Sequence, residues 1–378
     1  MAWDDERAAR AVLTQVVDAG DPRIGDLVAA EGAAAVLAAL RSSPREDAWP
    51  RRARAVEERE LAERARAHGL RFLVPGDAEW PRRLDDLGRC GLLNGMGGGP
   101  LGLWVAGPGD VAAAAERAVA IVGARAATAY GERTSIDLAS QLSVVTGAGA
   151  AWTVVSGGAF GIDAAAHRGA LAVTGSTVGV YANGLDAPYP PQNADLFERL
   201  RSQAVVISEV PPGLAPTKRG FLARNRLIAA LGAGVVVVEA ATRSGAKNTA
   251  AWGELLHRVV MAVPGPVYSA MSAGTHELIR DGRAGLVTGA DDVRALLEPL
   301  GLVAGEAPRG PARATDGLTD DQRRVVEALP ARKALSAGEI ALRSGVPLVA
   351  CQAALVHLSY LDFVAAVGGG TWRLVRGG

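Results

Sequence analysis

The chain has 378 residues, and its 40 Lys and Arg balance 40 Asp and Glu, so its formal net charge is zero. A neutral chain of this length suggests two or three domains with real cores and excludes a protein coated in basic surface; any nucleic-acid contact must come from a local patch. Cys90 and Cys351 stand far apart in sequence, which speaks against a disulfide framework and fits a reducing compartment.

The N-terminus, MAWDDERAAR, is acidic and polar where a signal peptide needs a basic start and an apolar core. No uncharged apolar run reaches the roughly 18 residues of a membrane span. The expectation is a cytoplasmic protein with no membrane contact. Five His residues, at 68, 167, 257, 276 and 357, are scattered along the chain, so no metal and no cofactor is expected.

Residues 7–45 are Ala-rich with helical periodicity and 53–69 form a charged helix, which predicts a small all-helical module over 1–78. From Glu79 the segments "EWPRRLDDL", "GMGGGPLG" and "LWVAG" read as a loop-rich lead-in to the next domain. Short β-branched runs follow at 118–123, 152–157, 176–184, 203–209, 234–240, 258–263 and 284–289, with helical patterns at 130–146, 161–173, 193–202, 223–232 and 245–257. The runs are solidly apolar, as strands buried on both faces require, and their alternation with helices predicts a doubly wound, Rossmann-like and mostly parallel α/β sheet over 79–297. A Gly-, Pro- and Ala-rich linker is expected at 298–317. Residues 318–378 then read as three helices, a turn at Gly345 and a β-hairpin, a winged-helix outline.

In such a sheet, ligands sit beyond the carboxyl ends of the strands. Three loops qualify. "IVGARAATAYG" offers Gly123 for close backbone approach and Arg125 as a planar cation. "VVSGGAFGIDAAAH" places Ser156, Gly157, Gly158 and Gly161 in a strand-to-helix turn with free N–H groups, a ready anion site. The third, "TKRGFLARNRLIAALGAG", carries Lys218, Arg219, Phe221, Arg224, Asn225 and Arg226, and no acidic residue occurs in the 29 positions 210–238. Each feature has a bland alternative. Gly-rich turns often serve tight packing, Asp163 suits a helix N-terminus favoured by the dipole, and His167 and Phe221 taken singly read as core residues. The one-signed basic cluster is harder to dismiss, because a solvated face normally mixes signs. No GxSxG and no GxxxxGK[ST] is present, and no catalytic residue is assigned. The three turns, the cations and an aromatic together suit a groove in which phosphates lie on N–H groups and Arg while a base stacks on Phe221.

The ordered motifs "WP..L", "LWVAG", "AIVGAR..T.YG", "VSGGAFGIDAAAHRGAL", "TVGVYANGLDAPYP", "ISEVPPG", "F.ARNRLIAAL", "VVEA...SGAKNTA" and "AVPG" resemble the DNA-processing protein A family, DprA, also called Smf. The terminal modules resemble that family's helical and winged-helix domains, so the likeness spans nearly the whole chain. It implies a single-stranded DNA binder, dimeric through its Rossmann-like domain, that protects incoming strands and loads RecA in natural transformation and recombination. It also implies DNA contacts at Arg125, Lys218, Arg219, Phe221, Arg224, Asn225, Arg226, Ser244 and Thr249, with phosphate-facing turns at Gly123, Ser156, Gly157, Gly158 and Gly161. Two positions depart from the family pattern: Ala124, where many members have Ser, and His276, where Asn is usual. The alternatives are a nucleoside-monophosphate phosphoribohydrolase on a similar sheet, whose PGGxGTxxE signature is missing, and a dinucleotide oxidoreductase, whose GxGxxG turn and following acid are absent.

Overall fold

Alternate residues of each central strand bury on opposite faces of one sheet. In the strand over Ala118–Val122, Ala118, Ala120 and Val122 join one core, while Val119 and Ile121 join another. That double burial explains why the runs are apolar without a break. The structure is a computed structural model and describes residues 3–145, 150–298 and 314–375. The chain divides into two compact units, Met1–Gly305 and Glu306–Gly378; most of the expected linker, 299–313, lies outside the described residues.

The first unit holds a nine-stranded sheet: β1 (Arg71–Leu73), β2 (Leu103–Ala106), β3 (Ala118–Val122), β4 (Thr153–Gly157), β5 (Thr177–Tyr181), β6 (Val205–Ser208), β7 (Gly234–Val237), β8 (Val259–Ala262) and β9 (Gly285–Leu286). Their order is β1-β2-β6-β5-β4-β3-β7-β8-β9, with β3 to β9 parallel and β1 and β2 antiparallel at one edge. The mostly parallel, doubly wound sheet is as expected. The antiparallel edge is not. "LWVAG" is strand β2 rather than lead-in loop, and β1 falls inside the span 1–78 expected to be helical.

Five helices precede β1: α1 (Asp5–Val16), α2 (Pro22–Glu31), α3 (Ala33–Ser42), α4 (Ala48–Ala55) and α5 (Glu58–Ala67). They enclose their own core around Val12, Leu13, Val16, Val36 and Leu37. The remaining helices of this unit are α6 (Val111–Glu116), α7 (Ala129–Leu142), α8 (Ile162–Ala172), α9 (Ala194–Gln203), α10 (Lys218–Leu231), α11 (Gly245–Leu255), α12 (Ala273–Arg280) and α13 (Ala290–Leu297). One face of the sheet packs on α6, α10, α11 and α12. The other packs on α7, α8 and α13, and towards β6 on α9. The winding reverses between β3, whose helix leads to β4 on one side, and β7, whose helix leads to β8 on the other.

The second unit contains α14 (Asp320–Ala328), α15 (Ala337–Ser344) and α16 (Leu348–Tyr360) with a three-stranded antiparallel sheet, β10 (Leu335–Ser336), β11 (Val364–Ala366) and β12 (Thr371–Leu374), in the order β10-β12-β11. Reciprocal Thr319–Gln322 and Ser336–Glu339 capping boxes start α14 and α15, and Gly345, at φ 66°, ends α15. Among the described residues no single helix is long and apolar enough to cross a membrane.

Candidate nucleic-acid interface

Helix α10 begins five residues earlier than the apolar pattern predicts. Thr217 caps it, its hydroxyl accepting from the Gly220 N–H at 2.9 Å. The basic stretch is therefore helical, and helical phase separates its side chains. At 3.6 residues per turn, Lys218, Phe221, Leu222 and Asn225 share one side, whereas Arg219, Ala223 and Arg226 share another. The first set lines a groove above the sheet. The second set turns to the N-terminal helices: a Cβ at Gly20 would stand 3.1 Å from that of Ala223. Arg226, 1% exposed, donates through both Nη atoms to Glu209 at 2.5 and 2.6 Å, and Arg219 lines a separate cleft with Asp18 and Arg52. The expectation that Arg226 faces the same ligand as Lys218 is thus corrected, whereas Arg219 stays exposed beside a different cleft. A buried guanidinium must be paired, and Glu209 pairs it.

The groove lies over the loops that follow β3, β4 and β5. It consists of two adjoining cavities, the larger about 720 Å³, which share Arg125, Ala159, Tyr189, Phe221 and Arg224. The Arg125 guanidinium sits 4.8 Å from the centroid of the Phe221 ring, and Tyr189 lies 5.7 Å from that ring at 43°. Phe160 adds a third, partly exposed ring to the wall. Arg125, Lys218 and Arg243 are exposed and have no ion-pair partner among the described residues.

The floor is buried and polar. Arg224, 6% exposed, donates from Nη1 to the Val180 carbonyl at 2.7 Å, and its Nε has no partner. Burial lowers its pKa, against the pull of Asp163. Glycine is required at 157, where a Cβ would lie 1.8 Å from Arg224 Nη1 and 2.5 Å from Asp163 Oδ2. Burial likewise pushes the Asp163 carboxyl up, opposed by Arg224, by the N–H groups of Ala159 and Gly123, and by Arg125. The Tyr181 hydroxyl, driven to a high pKa by burial, and Asn183 Oδ1 also lack partners, while Asn183 Nδ2 donates to the carbonyls of Gly184 and Ala187 at 2.8 and 2.9 Å. These three orphan groups all belong to residues lining the smaller cavity. Unsatisfied buried polar atoms cost on the order of 1–3 kcal/mol each, a cost that a polar ligand would relieve.

The other predicted residues divide. Gly123, Asn225, Ser244 and Thr249 line the larger cavity, and Gly158 the smaller. Asn225 Nδ2 donates to Asn248 Oδ1 at 3.1 Å, and Ser244 caps α11. Gly161 supplies φ 70° at the entry to α8, where a Cβ would also meet the Ala124 and Arg125 carbonyls. Ser156 and Gly157 are corrected from phosphate-facing to structural. Ser156 is fully buried and donates to the Ile121 carbonyl at 2.6 Å, and Gly157 makes room for Arg224. His167 is a core histidine with a pKa lowered to about 4 by burial. Because a carbonyl only accepts, the neutral ring donates from Nε2 to Gly157 at 3.0 Å, and its Nδ1 lies 2.8 Å from the Thr177 hydroxyl. His276 contacts Gly265, in the loop after β8. Ala124 donates its N–H to the Glu239 carbonyl.

The point where the winding reverses, the usual nucleotide seat of such sheets, is filled from within. The Glu239 carboxylate, 1% exposed, accepts from the Thr128 N–H at 2.9 Å and from its hydroxyl at 2.6 Å. It occupies the N-terminus of α7 that a ligand phosphate would need. Residue-by-residue reading passed over Phe160, Tyr181, Asn183 and Tyr189, whose signal lay only in "TVGVYANGLDAPYP" and "SGGAF", and Arg243, which directly precedes "SGAKNTA".

Comparison with known proteins bears on the same span. The family model described as DNA recombination-mediator protein A matches residues 71–298. The chain is similar to a putative DNA processing protein DprA of Mycobacterium tuberculosis, 46% identical over 327 residues, which cover 86% of this chain and 81% of that one. It is similar to protein Smf of Escherichia coli, 37% identical over 265 residues and 68% of each chain. In structure it resembles DNA processing protein A from Streptococcus pneumoniae, with a TM-score of 0.63 and 28% identity over 79% of this chain and 99% of that one.

Proposed function

The chain belongs to the DNA recombination-mediator protein A family, and from that premise we propose that it binds single-stranded DNA in the groove between Arg125 and α10 and delivers the strand to RecA. The observation that carries this reading is the stack of Tyr189, Phe221 and Arg125 beside unpaired cations. Rings of this kind take the faces of unpaired bases, whereas Lys218, Arg243 and Arg125 answer phosphates. Duplex bases are already stacked and offer no such faces. Affinity then follows charge and stacking rather than base identity.

In this reading the protein is a binder rather than a catalyst. The Glu239 carboxylate at the reversal point is held by Thr128, and among the described residues no His or second carboxylate is hydrogen-bonded to it, which favours binding over the phosphoribohydrolase alternative. A homodimer through the α/β unit, a winged-helix role for the second unit and a cytoplasmic location complete the proposal. The test is a gel shift with one oligonucleotide in single- and double-stranded form, followed by RecA filament assembly on a strand already coated with a single-strand-binding protein. The expected result is tight single-strand binding and faster RecA assembly. Equal affinity for duplex at moderate salt sinks the groove reading, and unchanged RecA assembly sinks the loading step.

A further inference from the structure

The first turn of α10 divides two spaces. Lys218 and Phe221 line the groove, whereas Thr217, Arg219 and Gly220 line a second cleft of about 460 Å³. Ala182, at the carboxyl end of β5, belongs to both this cleft and the smaller cavity of the groove. From there the cleft runs over Glu209 and Val210, at the carboxyl end of β6, and its far wall is the N-terminal helical module, with Gln15 on α1, Asp18 after it and Arg52 on α4. Groove and cleft thus follow one edge of the sheet, the edge at which such folds take ligands.

The charges on the walls are largely uncommitted. Arg219 is exposed and has no hydrogen bond or ion pair from its side chain among the described residues. Arg52, with a side chain 45% exposed, gives Nη1 to the Val16 carbonyl at 3.1 Å and stands 3.4 Å from Asp18. Of the two acids on the walls, Glu209 is taken by Arg226, which leaves Asp18. Two cations therefore face one free carboxylate, beside the positive end of the α10 dipole. The lining has no aromatic ring, and Val17, Val56 and Leu214 supply its apolar parts. Such a cleft suits a sugar–phosphate backbone and offers no stacking platform for a base.

Resting on the single-strand reading, we infer that a strand leaving the groove crosses the first turn of α10 and lays its backbone in this cleft, with one phosphate on Arg219 and one on Arg52. The helical module is then part of the binding site. It extends the footprint of the strand past the α/β sheet and adds affinity that depends on length and charge, not on stacking.

The experiment uses the full chain with Arg52→Ala, Arg219→Ala and the double variant, and reads anisotropy of oligothymidines of about 4 and about 16 nucleotides, the extremes of the lengths that single-strand sites take. On the longer strand each single variant is expected to flatten the slope of log K against log salt by about 0.7 and the double variant by about 1.4. At about 0.1 M salt these are losses of about fivefold and about 25-fold. The shorter strand, held by the groove alone, should bind every variant as it binds the wild type. A wild-type slope on the longer strand overturns the inference, and so does an equal loss on both lengths, which would put the two arginines in the groove. Wild-type binding of both strands with slowed RecA assembly also overturns it, because the cleft would then dock a protein. Should Arg52→Ala fail to fold, Arg219→Ala decides alone, since its side chain holds nothing in the fold. Wild-type protein that binds neither strand removes the underlying reading, and this one with it; wild-type binding without the length-dependent loss removes this one alone.

Discussion

Arg226 and Glu209 make a two-pronged ion pair at 2.5 and 2.6 Å, and their side chains are 1% and 8% exposed. The pair joins α10 to the segment that follows β6, beneath the turn at Gly20. An arginine that stands in a basic cluster of the sequence is thus spent inside the fold, two positions from one that reaches the groove.

Arg226→Ala is expected to destabilise the protein by about 3–5 kcal/mol, because it leaves the Glu209 carboxylate buried and unpaired. The salt slope of strand binding in the remaining folded protein stays at the wild-type value. Urea unfolding and a salt titration check both. A slope that flattens by about 0.7 would place Arg226 on a phosphate instead.

Phe221→Ala removes a ring flanked by Arg125 and Tyr189. Its single-strand affinity should fall by about 1–3 kcal/mol, and Tyr189→Ala should fall in the same direction. Duplex binding, which depends on charge alone, should move little in either variant. Anisotropy with the two forms of one oligonucleotide reads the contrast. Equal losses on single strand and duplex would mean that neither ring stacks on a base.

What the sequence made legible follows from the ranges over which its signals act. The parallel strands announced themselves because each is apolar on both faces, and Gly345 announced its turn. β1 and β2 did not, since β1 has only three residues and both pair antiparallel at the edge, where no helix alternation marks them. The basic stretch was legible as charge. Its division into Lys218 and Phe221 on one side and Arg219 and Arg226 on the other needed the helix to start at Lys218, and the apolar pattern placed that start at 223. Tyr189 and Asn183 lie in a loop, where no periodicity exists to assign them a face. Glu239 as an internal occupant of the α7 N-terminus depends on a contact 111 residues apart in sequence, beyond any local signal.

His167 gives the fold an acid limit. Its ordinary pKa of 6.5 is lowered to about 4 in the folded protein by burial. The unfolded chain therefore takes up the proton first as pH falls. The contribution of the neutral ring is fully present above pH 6.5 and is lost between 6.5 and about 4, amounting to about 3 kcal/mol. His167→Gln should show a stability fall over that window smaller by this amount, as read by urea midpoints at a series of pH values. Parallel curves for the two proteins would show that His167 titrates freely in the fold.

The last prediction concerns the second unit, whose elements suit a DNA-reading domain but whose charges do not. In a helix–turn–helix the second helix enters the major groove and needs polar and basic side chains there. Here α16 reads "LVACQAALVHLSY" and has neither Lys nor Arg. Beside Gln352 and His357, it exposes large apolar residues: Val349 is 79% exposed, Val356 64% and Tyr360 86%. Over 317–378 the sequence has seven basic residues against five acidic, too small an excess for a phosphate-binding face. Removing Glu306–Gly378, the whole of this unit, should leave single-strand affinity within a few-fold of the intact chain, since the groove and every residue lining it belong to Met1–Gly305. Circular dichroism establishes that the truncated protein keeps its fold, and anisotropy measures its affinity. If a folded truncation loses most of its binding, the second unit contacts the strand directly, through the β11–β12 hairpin rather than through helix α16.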